Sequence, residues 1–144
     1  MPKVKGLAAM RLVPVQEVAD AATYLYALLA EREPHQNISH KVMPAVDRHL
    51  SFVRSNPYSE WYLIAADNII VGAIYLTKQN EVGIFIFRRH RGLGYGTRAV
   101  LMLAEKHKGK QILANIAPSN TSSRAMFEKL GFTLIQHTFE RTEP

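Results

Sequence analysis

Val82-Gly83-Ile84-Phe85-Ile86-Phe87-Arg88-Arg89-His90-Arg91-Gly92-Leu93-Gly94-Tyr95-Gly96-Thr97-Arg98 is the stretch on which the reading of this chain turns. Val82 to Phe87 is apolar on both faces, with Ile84 and Ile86 against Phe85 and Phe87, as a central strand should be. Beyond the glycines, Ala99 to His107 carries helical spacing, with Val100, Leu103, Ala104 and His107 on one side. A strand, a glycine turn crowded with arginines and a helix together make an anion holder. Glycines let bare backbone N–H groups come close to a ligand, and a helix N-terminus adds partial positive charge.

Upstream of that stretch, Trp61 to Ala66, Asp67-Asn68 and Ile69 to Leu76 read as a hairpin with a tight turn. Lys78-Gln79-Asn80 turns into the strand from Glu81 to Phe87. Arg11 to Pro14 predicts a first short strand. Val15, Val18, Ala19, Ala22, Leu25, Tyr26 and Leu29 predict a helix running to about Arg32, ended by Pro34. Residues 33–43 have no period and read as an ordered surface loop, of a length that is often functional. Val46, His49, Leu50 and Val53 then form one helical face behind Pro44. Downstream, Gly109 closes the helix after the glycine turn, and Gln111 to Ala117 predicts a fifth strand. Ser119 or Asn120 caps a last helix with Met126, Phe127 and Leu130 inward, Gly131-Phe132 stops it, and Thr133 to Thr138 predicts a final strand. The fold class is therefore α/β: an antiparallel meander, then α-β-α-β, giving a mixed sheet with helices on both faces.

The 144 residues suit one domain, with Met1 to Met10 as a basic extension or early start outside the core. That extension is too weakly apolar for a secretory signal, and no apolar run approaches the ~20 residues of a membrane span. A net charge of +6 favours anionic partners without choosing among them. With no cysteine there is neither disulfide nor thiol catalysis, which fits a cytoplasmic protein. His35, His40, His90, His107 and His137 lack metal-ligand spacing, so no metal is expected. The Arg88–Arg91 cluster lacks the aromatic interleaving of a nucleic-acid surface.

Two phosphate motifs fail on the glycine turn. A P-loop needs Lys-Ser/Thr after its last glycine, and Gly96 is followed by Thr97-Arg98. A dinucleotide fingerprint needs a first βαβ unit and an acidic residue ~20 positions on, and Gln111 to Ala117 contains no carboxylate. A third pattern matches. Arg91-Gly92-Leu93-Gly94-Tyr95-Gly96 resembles the Arg/Gln-x-x-Gly-x-Gly/Ala signature of the GNAT superfamily of acyl-CoA-dependent N-acetyltransferases. Asn120, Ser123, Met126, Phe127, Lys129, Gly131 and Phe132 resemble that family's second signature, Asn-x-x-Ser/Ala-x-x-Leu/Phe-Tyr-x-Lys-x-Gly-Phe, in the right order and one strand away. The resemblance covers Arg11 to Thr138.

What the resemblance implies is a GNAT fold with a splayed central sheet and acetyl-CoA as acyl donor. The main chain of Ile86, Phe87 and Arg88 would pair with the pantetheine amides. Arg91, Gly92, Leu93, Gly94, Tyr95, Gly96 and Thr97 would take the pyrophosphate. Asn120 would touch the cofactor arm, and Arg124 or Lys129 the adenosine 3′-phosphate. The acceptor implied is a primary amine on a small molecule, an amino sugar, or a protein N-terminus or lysine, taken by a monomer or homodimer. The segment from Asn37 to Asn56 with Trp61 is similar to that of members acting on nucleotide-linked amino sugars or protein N-termini.

Direct transfer to an amine needs a base and a proton for the departing thiolate. Many relatives carry a glutamate on the strand before the glycine turn, and Glu81 is the matching base candidate. His49 is an alternative base or substrate group, or else a packed core histidine. Asn115 stands where other relatives carry a glutamate. The family's general acid is the tyrosine of the second signature, but here that residue is Phe127, leaving water or another group such as Tyr95 or Tyr75 to protonate the thiolate, or else slow catalysis. The same departure leaves room for a non-catalytic acyl-CoA-binding regulatory module.

Overall fold

The computed structural model describes residues 9–32 and 43–143. Most of the expected extension, and the expected loop over residues 33–43 up to Met43, lie outside the described residues. Within them, five strands form one sheet in the order β1 (Met10–Pro14), β2 (Glu60–Ala66), β3 (Ile69–Leu76), β4 (Glu81–Ile86) and β5 (Leu113–Ala114). Neighbours from β1 to β4 are antiparallel, and β5 runs parallel to β4. The sheet is mixed, as expected.

Turn chemistry sets the meander. Asp67 and Asn68 both take left-handed φ values of 49° and 66°, the two-residue hairpin turn whose twist suits right-twisted strands. At the next turn Asn80 has φ 65°, and the Thr77 hydroxyl accepts from the Gln79 and Glu81 N–H groups. The proline at the end of β1 falls on an edge strand, where no ladder donor is needed.

Alternation along the strands then sorts side chains to two faces. Ile74, Leu76 and Val82, with Ile84 and Ile86, meet Ala99, Val100 and Leu103 of α3 (Tyr95–Lys106) and Phe127 of α4 (Thr121–Lys129). Leu63, Ala73, Phe85 and Phe87 meet Ala21, Leu25 and Leu28 of α1 (Ala21–Ala30) and Val53 of α2 (Val46–Arg54). Asn120 caps α4 by accepting from the Ser123 N–H. At its other end Phe132 N–H bonds Phe127 O and Gly131 N–H bonds Glu128 O, the doubled C-terminal pattern of a Schellman stop.

Four boundaries depart from the sequence expectation. The first helix begins at Ala21 rather than Val15, because Val15–Glu17 is a single 3₁₀ turn. Val15 and Val18 still reach the core, so their spacing imitates helical period. The helix after the glycine turn begins four positions earlier than Ala99, at Tyr95, inside the turn itself. The fifth strand shrinks from Gln111–Ala117 to Leu113–Ala114, since the chain leaves β4 after two bridged residues. Thr133 to Thr138 forms no strand. The short β5 offers little ladder to extend the sheet, and Leu134, Ile135 and Phe139 stand exposed.

One close approach ties the fold to the cleft described below. Register sets Tyr75 opposite Gly83, and the tyrosine ring lies across the glycine. A Cβ at Gly83 would fall 2.0 Å from Tyr75 Cζ. Gly83→Ala should therefore displace the ring and cost on the order of 1–3 kcal/mol, the usual range for overpacking. Urea unfolding measures this, and an unchanged midpoint would show that the ring is not seated there.

Candidate active site

Where β5 leaves β4, a cleft of about 740 Å³ opens through the sheet. One end is formed by the glycine turn. Gly92 and Gly94 have φ of 79° and 83°, a backbone state that side chains disfavour. Gly94 is the N-cap of α3 without a side-chain cap, and the first intrahelical bond runs from Arg98 N–H to Gly94 O. The N–H groups of Tyr95, Gly96 and Thr97 have no helical acceptor, and all three residues line the cleft. Asn120, Ser122 and Ser123 bring the N-terminus of α4 to the same cleft. Two helix N-termini thus face one cavity, both favouring negative charge.

The wall is the edge of β4. Glu81 O accepts from Thr77 N–H and Phe87 N–H donates to Val71 O, so odd-numbered residues turn their main chain toward β3. Val82, Ile84 and Ile86 turn theirs toward β5, which bridges only Glu81 and Val82. The main chains of Ile84 and Ile86 therefore face the opening. Ile86 O accepts from Arg91 Nε at 3.0 Å. The expected trio is placed differently residue by residue. Ile86 is suitably placed, Phe87 is turned away and buried at 5% exposure, and Arg88 is bonded to Glu31 through its N–H and guanidinium. Ile84 also turns its main chain to the opening by strand alternation.

At the far end stand the polar groups. Glu81 accepts a hydrogen bond from Asn115 Nδ2 across the parting strands. Tyr75 shares hydrogen bonds with Arg32 and Tyr58, and burial raises its pKa and that of Tyr58, keeping both protonated. Tyr58 stacks on Tyr75 with ring centroids 3.9 Å apart. Phe127 touches the cleft but is 3% exposed and packs edge-on against Phe132.

A family model for the GNAT acetyltransferase domain matches residues 10–133. The chain belongs to that family. Among curated proteins none matches it. Solved structures share the fold. A domain from Methanocaldococcus jannaschii is 22% identical with a TM-score of 0.74, covering 92% of this chain and 94% of its own. Spermidine N-acetyltransferase SpeG from Vibrio cholerae, an N152L mutant, is 14% identical with a TM-score of 0.71, over 92% and 83%. YncA from Salmonella typhimurium, solved with its cofactor acetyl-CoA, is 16% identical with a TM-score of 0.64, over 88% and 79%.

Of the site residues expected in this GNAT chain, Glu81, Ile86, Arg91, Gly92, Gly94, Tyr95, Gly96, Thr97 and Asn120 line one cleft, together with Tyr75. Leu93 is 62% exposed and outside it. Arg124 pairs with Glu128 on the surface at 2.6 Å, and Lys129 is exposed and outside the lining. His49 is also outside the lining, buried between α1 and α2, with Nε2 3.3 Å from Ala22 O and its ring edge-on to Tyr26. Arg32 and Ile84 join the lining without a motif to announce them. Asn115 was legible only as a position that cannot act as a base.

Burial holds the His49 imidazole below its ordinary pKa of 6.5, partly opposed by the bond to Ala22 O. The unfolded chain then takes up this proton first as pH falls. Stability from His49 should be full above about pH 6.5 and decline below it, through the lower folded-state value. Urea midpoints compared at about pH 7 and pH 5 should fall less in His49→Gln than in the parent chain. An equal fall would remove His49 from the acid dependence.

Proposed function

We propose that this protein is a cytoplasmic N-acetyltransferase that moves an acetyl group from acetyl-CoA directly to a primary amine. The observation carrying the proposal is the joining of two helix N-termini and an open β4 edge in one cleft. The donor's chemistry fits these groups. Pyrophosphate suits the N–H groups of Tyr95 to Thr97 and the turn at Gly92 and Gly94, while amide arms suit the main chain of Ile84 and Ile86. The thioester end then falls toward Val82, about 13 Å along β4 from Ile86.

At that end Glu81 serves as base toward the ammonium, directly or through water, with Asn115 orienting its carboxylate. The amine nitrogen bonds to the acetyl carbon, the carbon–sulfur bond breaks, and the departing thiolate takes a proton. Tyr75 lies at the Glu81 end and Tyr95 beside the glycine turn, so Tyr75 is the better placed donor. Phe127 motivates the second reading, a binder of acyl-CoA that turns over slowly or not at all.

Incubation with acetyl-CoA and a panel of polyamines, amino sugars, amino acids and peptides, read as CoA release, separates the two. Tight CoA binding without release on any amine would favour the binder. Gly94→Asp should abolish CoA binding by setting a carboxylate in the phosphate cradle; unchanged affinity in a titration would sink the assignment. Glu81→Gln should depress activity most at low pH, where the amine most needs deprotonation. A pH–rate profile parallel to that of the parent chain would take Glu81 out of the base role.

A further inference from the structure

The face of the cleft that carries Glu81 also carries a cation, Arg32, that has no part in binding the donor. Glu81, Gly83 and Phe85 alternate onto the α1 and α2 side of β4. Arg32, just beyond α1, lines the cleft there with its guanidinium carbon 3.9 Å from the centre of the Phe85 ring. Its edge shares a hydrogen bond with the Tyr75 hydroxyl, Tyr58 stacks on that tyrosine, and Trp61 and Phe52 pack edge-on against Tyr58 and each other. Among the described residues no carboxylate lies within ion-pair distance of it.

A guanidinium stays charged at any working pH and has five donors in a rigid fork. Among the described residues, stacking on Phe85 and one bond to Tyr75 leave most of that fork unmatched by protein acceptors, in surroundings drier than water. Such a fork gains most from a carboxylate or a phosphate, whose oxygens match it two at a time. It repels the remote ammonium of a polyamine.

We propose that Arg32 binds an anionic group on the acceptor, so that the amine presented near Glu81 belongs to a molecule also bearing a carboxylate or phosphate. The inference rests on reading the cleft as an acyl-transfer site. Glu81 and Arg32 on one face then match the two ends of a zwitterion, and the aromatic stack behind Tyr75 holds the fork in place.

CoA release is measured with glycylglycine and O-phosphoethanolamine as anionic amines, and with ethanolamine and spermidine as controls. The parent chain should show kcat/KM at least about tenfold higher for one or both anionic amines than for either control. The pair separates carboxylate from phosphate recognition. Arg32→Gln should erase that ratio, Arg32→Lys keep part of it, and Arg32→Glu turn preference toward spermidine. Equal use of ethanolamine or spermidine by the parent chain would overturn the proposal. So would a proportional loss on all four amines in Arg32→Gln, since Arg32 would then only prop the aromatic stack. Calorimetric binding of the two anionic amines without donor gives a second readout, in which Arg32-dependent affinity supports the proposal and its absence overturns it. CoA titration reports the donor site separately, so failure of the transfer reading is told apart from failure of this one.

Discussion

Two residues of parallel ladder hold β5 to β4, and then the strands part. Most of the site depends on that short pairing. A strand inside a sheet normally spends its N–H and C=O groups on both neighbours, and leaving them unmatched is costly. Here Ile84 and Ile86 turn theirs into a gap, and Arg91 satisfies the Ile86 carbonyl. The gap also determines what can face it. With β5 diverted, the N-termini of α3 and α4 both come to the opening, and the cleft acquires oriented backbone donors. Asn115 and Glu81 bridge the strands just where they separate, so the apex of the gap is also where a carboxylate is held.

Backbone features were the most legible part of the sequence. Asp67-Asn68, Gly92, Gly94, Asn120 and Gly131 each mark a required turn, cap or stop, and each does so in the structure. Side-chain pairing was far less legible. Four arginines around the glycine turn suggested a shell of guanidinium groups, yet Arg88 is taken by Glu31 and Arg91 is folded onto Ile86 O. Such partners are distant in sequence and leave no local signal. Helix period failed at Val15 for a related reason: a 3₁₀ turn can aim the same residues at the same core. The final strand failed because β-propensity describes a segment, whereas a strand needs a partner with free ladder groups.

The Arg32 wall of the cleft was almost invisible in the sequence because it is assembled by register. Nothing local in the sequence links Arg32, Tyr75, Gly83 and Phe85. Antiparallel pairing of β3 and β4 sets Tyr75 over Gly83, and the absent Cβ lets the ring lie flat enough for Tyr58 to stack at 2°. Phe85, two residues on, faces the same way and receives the Arg32 guanidinium. One glycine thus organises a wall of the cleft through the space it leaves, with no special dihedral of its own.

Phe127 shows how packing and chemistry separate at a single position. Its ring is buried among Ala99, Val100 and Leu103, its carbonyl accepts the Phe132 N–H that ends α4, and the two rings meet edge to face. Each of these contacts belongs to the ring or the main chain, and a tyrosine would make them equally well while adding a hydroxyl that must find a partner. The fold is therefore indifferent to the loss of that hydroxyl. The cleft holds a phenol elsewhere, in Tyr75 at the Glu81 end, which burial keeps protonated. Phe127 on α4 and Tyr75 on β3 line the same opening from opposite faces of the sheet, so the position of a hydroxyl in the cleft is set by register and not by the packing of α4.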